Sequence, residues 1–307
     1  MRAEPGRDAV KLATFKLNGR TTLAVDSGDH WVALDGPGAA RLADLHDYLE
    51  LGDSGPDRVR QALADAPDEA RFTPADGDWA PPTMRAGKIL CLGLNYHEHR
   101  EETGAAPNSP YPTVFMRANA SLIAHRAPIQ APAVSAALDF EGELVAVIGR
   151  RIRDAGPDTA LEAVAGYSLF NDVSVRDYQF KSSQWTVGKN FDGTGAFGPW
   201  MTTREDLPPG AAGLELTVTL NGEVVQSANT ADMIHSVAET IVLLSEAMTL
   251  EVGDLIVTGT PGGVGMARNP PLWMKPGDVC AVEIERIGRL HNVVASPPTL
   301  PGAQDHD

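Results

Sequence analysis

The chain has 307 residues, 25 of them basic and 41 acidic, for a formal charge of −16. That balance argues against nucleic acid as a partner, because such binding needs clustered Lys and Arg to displace counterions. With 43% hydrophobic and 21% charged residues it reads as soluble and globular, long enough for one large domain and a small one.

Cys91 and Cys280 are the only cysteines. They lie far apart in apolar contexts and read as reduced core thiols of a reducing cytosol. The N-terminus lacks an apolar signal core, and no apolar run approaches the ~20 residues of a membrane span. The expected location is the cytoplasm, with no membrane partner.

Residues 1–9 are polar and read as a loose extension. Segments 11–17, 21–25 and 31–34, broken by Asn18-Gly19 and Ser27-Gly28-Asp29, predict a small β-meander. Segments 41–51 and 56–66 predict two amphipathic helices, and the Pro-, Asp- and Ala-rich stretch 65–82 a linker. This first unit carries no paired catalytic side chains.

From Lys88 the texture changes. Segment 89–93 predicts a buried strand, followed at once by the titratable run NYHEHREE. His99 and Glu102 are three apart, on one side of a helical turn. A carboxylate beside an imidazole fixes its tautomer and stabilises the charged form, as a general base requires. His97 is a rival that spacing does not exclude. Segment 113–116 predicts a strand ending in Arg117, and 121–132 a turn-rich crossing.

The stretch DFEGELVAVIG at 139–149 holds a buried strand over 144–148. At its mouth Glu141 and Glu143 share a strand face, with Cα atoms roughly 6.5–7 Å apart. Their repulsion at ~4 Å is ~4 kcal/mol for an effective dielectric of ~20, and a divalent cation would reverse its sign. Taken alone the pair reads as an exposed strand end; the residues around it tip the balance.

Segment 159–165 predicts a short helix and 167–170 a strand that delivers Asn171-Asp172, with Arg176 and Gln179 beyond. The glycine-rich run 185–195 carries Lys189. It lacks G-x-x-x-x-G-K-[ST] and a following long helix, so it is not a phosphate loop. Segments 214–220 and 223–227, joined by Asn221-Gly222, predict a hairpin. Ser236 and Glu239 form a capping box that opens a helix to Met248. Strand 255–257 ends in TGTPGGVG, and KPGD at 275–278 turns into a last strand over 279–285.

The segments GLNYHEH, DFEGELVAVIG, FNDVSVRD, WTVGKNFDG, VTGTPGGVG and KPGDV…VEIERIG occur in this order over 88–294. Together they resemble the fumarylacetoacetate hydrolase superfamily, and 11–50 looks like the small N-terminal domain of many bacterial members. The resemblance implies a mostly β fold with α+β elements. A rolled β-sandwich catalytic domain (83–296) follows a small N-terminal α+β domain and linker (1–82), and 297–307 is a disordered tail. It also implies a homodimer.

The resemblance further implies a divalent cation, Mg²⁺ with Mn²⁺ or Ca²⁺ as alternatives, held by Glu141, Glu143 and Asp172. An all-oxygen donor set agrees with a hard ion. By position, His99 with Glu102 resembles the base dyad and Lys189 the cation facing developing negative charge. Arg176 and Gln179 resemble substrate anchors, and Thr260 a donor to the substrate carboxylate. Where many members carry Lys-Pro this chain has Arg117-Ala118, and the guanidinium fork suits a carboxylate, so Arg117 is expected to bind substrate.

The activity implied is hydrolysis of a carbon–carbon bond in a 2-oxo or 1,3-diketo acid, acylpyruvate or fumarylacetoacetate-like. Decarboxylases of the oxaloacetate type and isomerases or hydratases of 2-hydroxydienoates are alternatives on the same metal site. A catalytically silent ligand-binding dimer is the alternative of another class. Against it stands the presence together of His99, Glu102, Asp172, Lys189 and the two glutamates.

Overall fold

A computed structural model describes residues 10–34, 41–104 and 111–297. The expected extension 1–9 and all but the first residue of the expected tail lie outside the described residues. Asn18 and Gly19, both at positive φ, turn β1 (Lys11–Leu17) into β2 (Arg20–Asp26), and β3 (Trp31–Ala33) follows. Asp44 caps α1 (Leu45–Glu50) by accepting the His46 and Asp47 N–H groups, and α2 (Gly55–Asp65) comes next.

Then come β4 (Arg71–Phe72), β5 (Ile89–Gly93), α3 (His97–Glu102), β6 (Thr113–Arg117) and β7 (Leu122–Ile123). The central run is β8 (Ile129–Gln130), β9 (Leu138–Asp139), β10 (Gly142–Ile148), β11 (Val164–Asp172) and β12 (Ser174–Val175). After α4 (Arg176–Gln179) and α5 (Thr186–Lys189) the chain forms β13 (Gly195–Thr203), β14 (Glu215–Leu220) and β15 (Glu223–Asn229). It ends in α6 (Val237–Ala247), β16 (Leu255–Val257), β17 (Val279–Ile284) and β18 (Gly288–Ala295).

The larger sheet runs β4-β3-β2-β1-β13-β11-β10-β16-β5-β6 with β7 beside β13, and the smaller runs β15-β14-β17-β18-β8. The fold is mostly β, as expected. Leu144, Ala146 and Ile148 of β10 pack with Val218 and Val282 of the smaller sheet. Val145 and Val147 face the other way, packing in one cluster with Leu12, Leu45 and Val59. Each fully buried aliphatic side chain contributes ~1.5–3 kcal/mol. Gly142 shares the face of Leu144, and a Cβ there would lie 2.2 Å from Val218, so glycine lets the sheets close.

Three local differences from the sequence reading have physical causes. The helix expected at 159–165 is a single 3₁₀ turn, Ala160–Ala163, because Val164 already pairs with Ile148. The expected β-meander continues into the larger sheet: β1 pairs with β13, Lys11 opposite Thr202. The stretch 65–82 lies largely at the surface but its end is anchored, because Trp79 joins Phe15, Trp31 and Trp200 in an aromatic cluster. The Asn221-Gly222 turn has both residues at positive φ, 54° and 86°, as a type I′ hairpin demands. The Ser236–Glu239 capping box is present, and both cysteines are free and buried. Among the described residues no helix is long and apolar enough to cross a membrane.

His125 sits where these packed layers meet. Its ring lies edge-on to Trp79 at 4.8 Å, and Nδ1 accepts the His291 N–H at 3.1 Å. Burial, then Arg126 and His291, pull its pKa from 6.5 to about 4, with Asp76 opposing. Between those values the unfolded chain binds the proton and the folded chain does not, so stability falls as pH drops through that window. The full loss is about 3 kcal/mol. Thermal melts from pH 7 to 4 should show a shallower decline in His125→Asn than in the parent; parallel curves would exclude this residue as the cause.

Candidate active site

Strand direction gathers the polar residues at one end of the larger sheet. β5 and β16 are parallel, Leu90 opposite Ile256, so NYHEHREE and TGTPGGVG leave side by side. β10 runs antiparallel to both β16 and β11, which brings its first residues and the last residues of β11 to that same end. Gly142 pairs with Asn171, and the Asp172 N–H donates to Glu141 O at 2.8 Å. This register places Asp172 beside the two glutamates.

Glu141, Glu143 and Asp172 are buried, with one ligand oxygen from each lying within 4.8 Å of the others. Lys189 Nζ donates to Glu141 Oε2 at 2.7 Å and to Asp172 Oδ2 at 2.6 Å. Burial alone would raise the Glu141 pKa, but Arg176 and Lys189 outweigh it and hold it at about 2. Glu143 differs. It accepts the Gly259 N–H and forms no ion pair among the described residues. Burial, then Asp172 and Glu141, push its pKa well up. A buried acid crowded by two carboxylates and lacking a cation fits a hard divalent ion, which these three oxygen donors could hold.

On α3, His97 is exposed, while His99 is buried and lines the cavity beside Glu141. His99 Nδ1 and Glu102 Oε1 are 2.7 Å apart, and Glu102 Oε2 accepts the Gly263 N–H at 2.7 Å. The turn after β16 therefore aims the carboxylate that aims the imidazole. Asn95 ties the two loops, donating to Thr258 O at 2.7 Å. Leu94, on the cavity wall, sits at φ 59°, a conformation costly for leucine, and its carbonyl accepts Arg100 Nε at 2.8 Å.

Arg176 and Gln179 line the same cavity. Arg176 is held by Asp139 and Gln179: Nε donates to Asp139 at 2.8 Å and Nη1 to Gln179 Oε1 at 2.8 Å, while Nη2 forms an ion pair at 2.6 Å with Glu141 but no hydrogen bond. Thr260 also lines the cavity, donating to Gly142 O at 3.0 Å and accepting from Gln226 Nε2 at 2.8 Å. Arg117 lies elsewhere from the substrate contact the sequence suggests. Its guanidinium is enclosed behind Asp172, donating to Oδ1 at 2.5 Å and to Thr194 Oγ1 at 2.9 Å, and is not part of the cavity wall. The carboxylate that it grips is the protein's own.

The sequence reading did not single out Asp139 or Gln226. Asp139 accepts the Gly265 and Met266 N–H groups besides Arg176. Gln226 accepts the Gly142 N–H and donates to Pro261 O, holding the TGTP turn to β10. Asp139 carried a signal, as the acid that opens an apolar run; Gln226 carried none.

A carboxylate cradle, an ammonium and an imidazole–carboxylate pair meet beside one small cavity, an arrangement suited to chemistry on a small molecule. Residues 88–295 match the family model described as fumarylacetoacetate (FAA) hydrolase C-terminal, and the chain belongs to that family. Its members are enzymes, hydrolases, isomerases and tautomerases among them. An oxaloacetate tautomerase of Xenopus laevis, named as mitochondrial, is 32% identical over 277 residues, covering 90% of this chain and 86% of its own. Among solved structures, a fumarylacetoacetate hydrolase from psychrophilic Exiguobacterium antarcticum is 34% identical, with a TM-score of 0.81 over 94% of this chain and 99% of its own. A 2-hydroxyhepta-2,4-diene-1,7-dioate isomerase from Mycobacterium marinum is 30% identical, with a TM-score of 0.72 over 94% of this chain and all of its own.

Proposed function

We propose that the protein is a divalent-metal-dependent hydrolase that cleaves a carbon–carbon bond in a 2-oxo or 1,3-diketo acid of the acylpyruvate type. The observation that carries this is the His99–Glu102 pair, locked by the Gly263 N–H and facing the cavity that Glu141 and Lys189 also line. With Nδ1–H donated to Glu102, His99 keeps a lone pair on Nε2 and can take a proton from water. The resulting hydroxide adds to the carbonyl remote from the acid head. Lys189 places its positive charge where the oxyanion forms. The carbon–carbon bond then breaks, its electron pair leaving on the pyruvate enolate, and the His99 imidazolium returns the proton to that carbon. A divalent cation on Glu141, Glu143 and Asp172 would supply Lewis-acid polarisation of the head oxygens.

Tautomerisation is the second reading, favoured by the 32% identity to the Xenopus tautomerase across 90% of the chain. It needs the same base but no attack by water. Acylpyruvates and oxaloacetate, each incubated with Mg²⁺ and with EDTA, separate the two. Pyruvate and a carboxylic acid in equal amounts mean hydrolysis; a keto–enol change without change of mass means tautomerisation. Turnover undiminished by EDTA would remove the metal from either reading.

A further inference from the structure

The cavity beside the carboxylates measures about 220 Å³. Much of its wall is apolar: Leu92, Leu94, Phe115, Phe180, Trp185 and Met266. Phe115 lies next to the polar end, with Lys189 Nζ 5.1 Å from its ring centroid. Trp185 stands edge-on to Phe115 at 5.5 Å, and its ring abuts Gly93, where a Cβ would lie 2.3 Å away. These two rings are therefore fixed by packing. Phe180 is 57% exposed although it lines the cavity, so it stands at the mouth in water.

The cations of the wall are already engaged. Lys189 is paired with Glu141 and Asp172, and the Arg176 charge is paired with Asp139 and Glu141, its Nη2 making no hydrogen bond. Among the described lining residues no further Lys or Arg faces the aromatic part. A second carboxylate on the substrate would lose its hydration there without gaining a cation of its own. An alkyl or aryl group would instead cover Phe115, Trp185 and Phe180 and gain ring contacts.

We infer that the tail of the substrate, beyond the 2-oxo acid head, is an uncharged alkyl or aryl group seated on Phe115 and Trp185, and that dicarboxylates are poor ligands. This rests on the proposed reading of the head and extends it to the tail.

The test has a turnover arm and a binding arm, both on the Mg²⁺-loaded protein. In the first, kcat/KM for benzoylpyruvate should exceed that for fumarylpyruvate by about 10²-fold or more. In the second, phenylpyruvate and α-ketoglutarate, neither with a scissile diketone, are compared by calorimetry, and phenylpyruvate should bind at least about tenfold tighter. Trp185→Arg should narrow both ratios, and Phe180→Lys, at an exposed position that folding tolerates, should improve α-ketoglutarate binding. If α-ketoglutarate binds as well as phenylpyruvate, or fumarylpyruvate is cleaved as well as benzoylpyruvate, the tail inference is overturned while hydrolysis stands. If no diketo acid is cleaved but phenylpyruvate is preferred, hydrolysis fails and the tail inference stands. Binding of neither keto acid overturns both.

Discussion

Glu143→Gln should make the metal-free protein more stable and the enzyme slower by about 10³-fold or more. Of the three carboxylates, Glu141 is answered by Arg176 and Lys189, and Asp172 by Arg117 and Lys189. Glu143 is answered by a backbone N–H from Gly259. Burial and the two neighbouring carboxylates oppose its ionisation, so at neutral pH folding must either bury its charge without a counter-charge or take up a proton, and both cost stability. Glutamine keeps the shape and the acceptor for Gly259 and removes the ionisable group. A gain of roughly 1–2 kcal/mol would raise the melting temperature of a chain this long by about 2–3 °C. In the parent, Mg²⁺ at 100 times its Kd should add about 2.7 kcal/mol, and the variant should lose that shift. Melting curves with and without Mg²⁺, beside kcat/KM, check both halves. A variant that melts lower yet still responds to Mg²⁺ would mean that Glu143 is no ligand.

What could be read from the sequence follows from the range of each interaction. The glutamates two apart at the start of an apolar strand were legible, because strand geometry alone sets their relation. Asp172 reaches them only through the pairing of Gly142 with Asn171, a register between segments some thirty residues apart, and the family resemblance supplied it. His99 against His97 turned on which face of a two-turn helix meets the cavity, a tertiary fact. Arg117 shows a different limit. A guanidinium seeks a carboxylate, but chemistry does not say whether that carboxylate belongs to substrate or protein. The N-terminal strands were readable as strands, whereas their joining of the main sheet depends on Lys11 meeting Thr202. Gln226 was invisible because it is defined by backbone groups of two distant segments, Gly142 and Pro261.

Glu102→Gln tests the base without emptying the site. The Gln carbonyl can still accept the Gly263 N–H, so the loop should hold its place. The amide then turns an N–H toward His99 Nδ1, at the 2.7 Å contact where the carboxylate now accepts the hydrogen bond from Nδ1–H. Nδ1 must become the acceptor and Nε2 must carry the hydrogen, so the nitrogen left for water has no lone pair. Turnover should fall by about 10²–10³-fold, with KM and the Mg²⁺-induced melting shift unchanged, because neither residue belongs to the carboxylate cradle. His99→Ala should fall at least as far. The double variant should be no worse than His99→Ala alone, since residues acting as one unit are not additive. Glu102→Gln within threefold of the parent, or losses that multiply in the double variant, would show that the pair is a structural contact and that water is activated elsewhere.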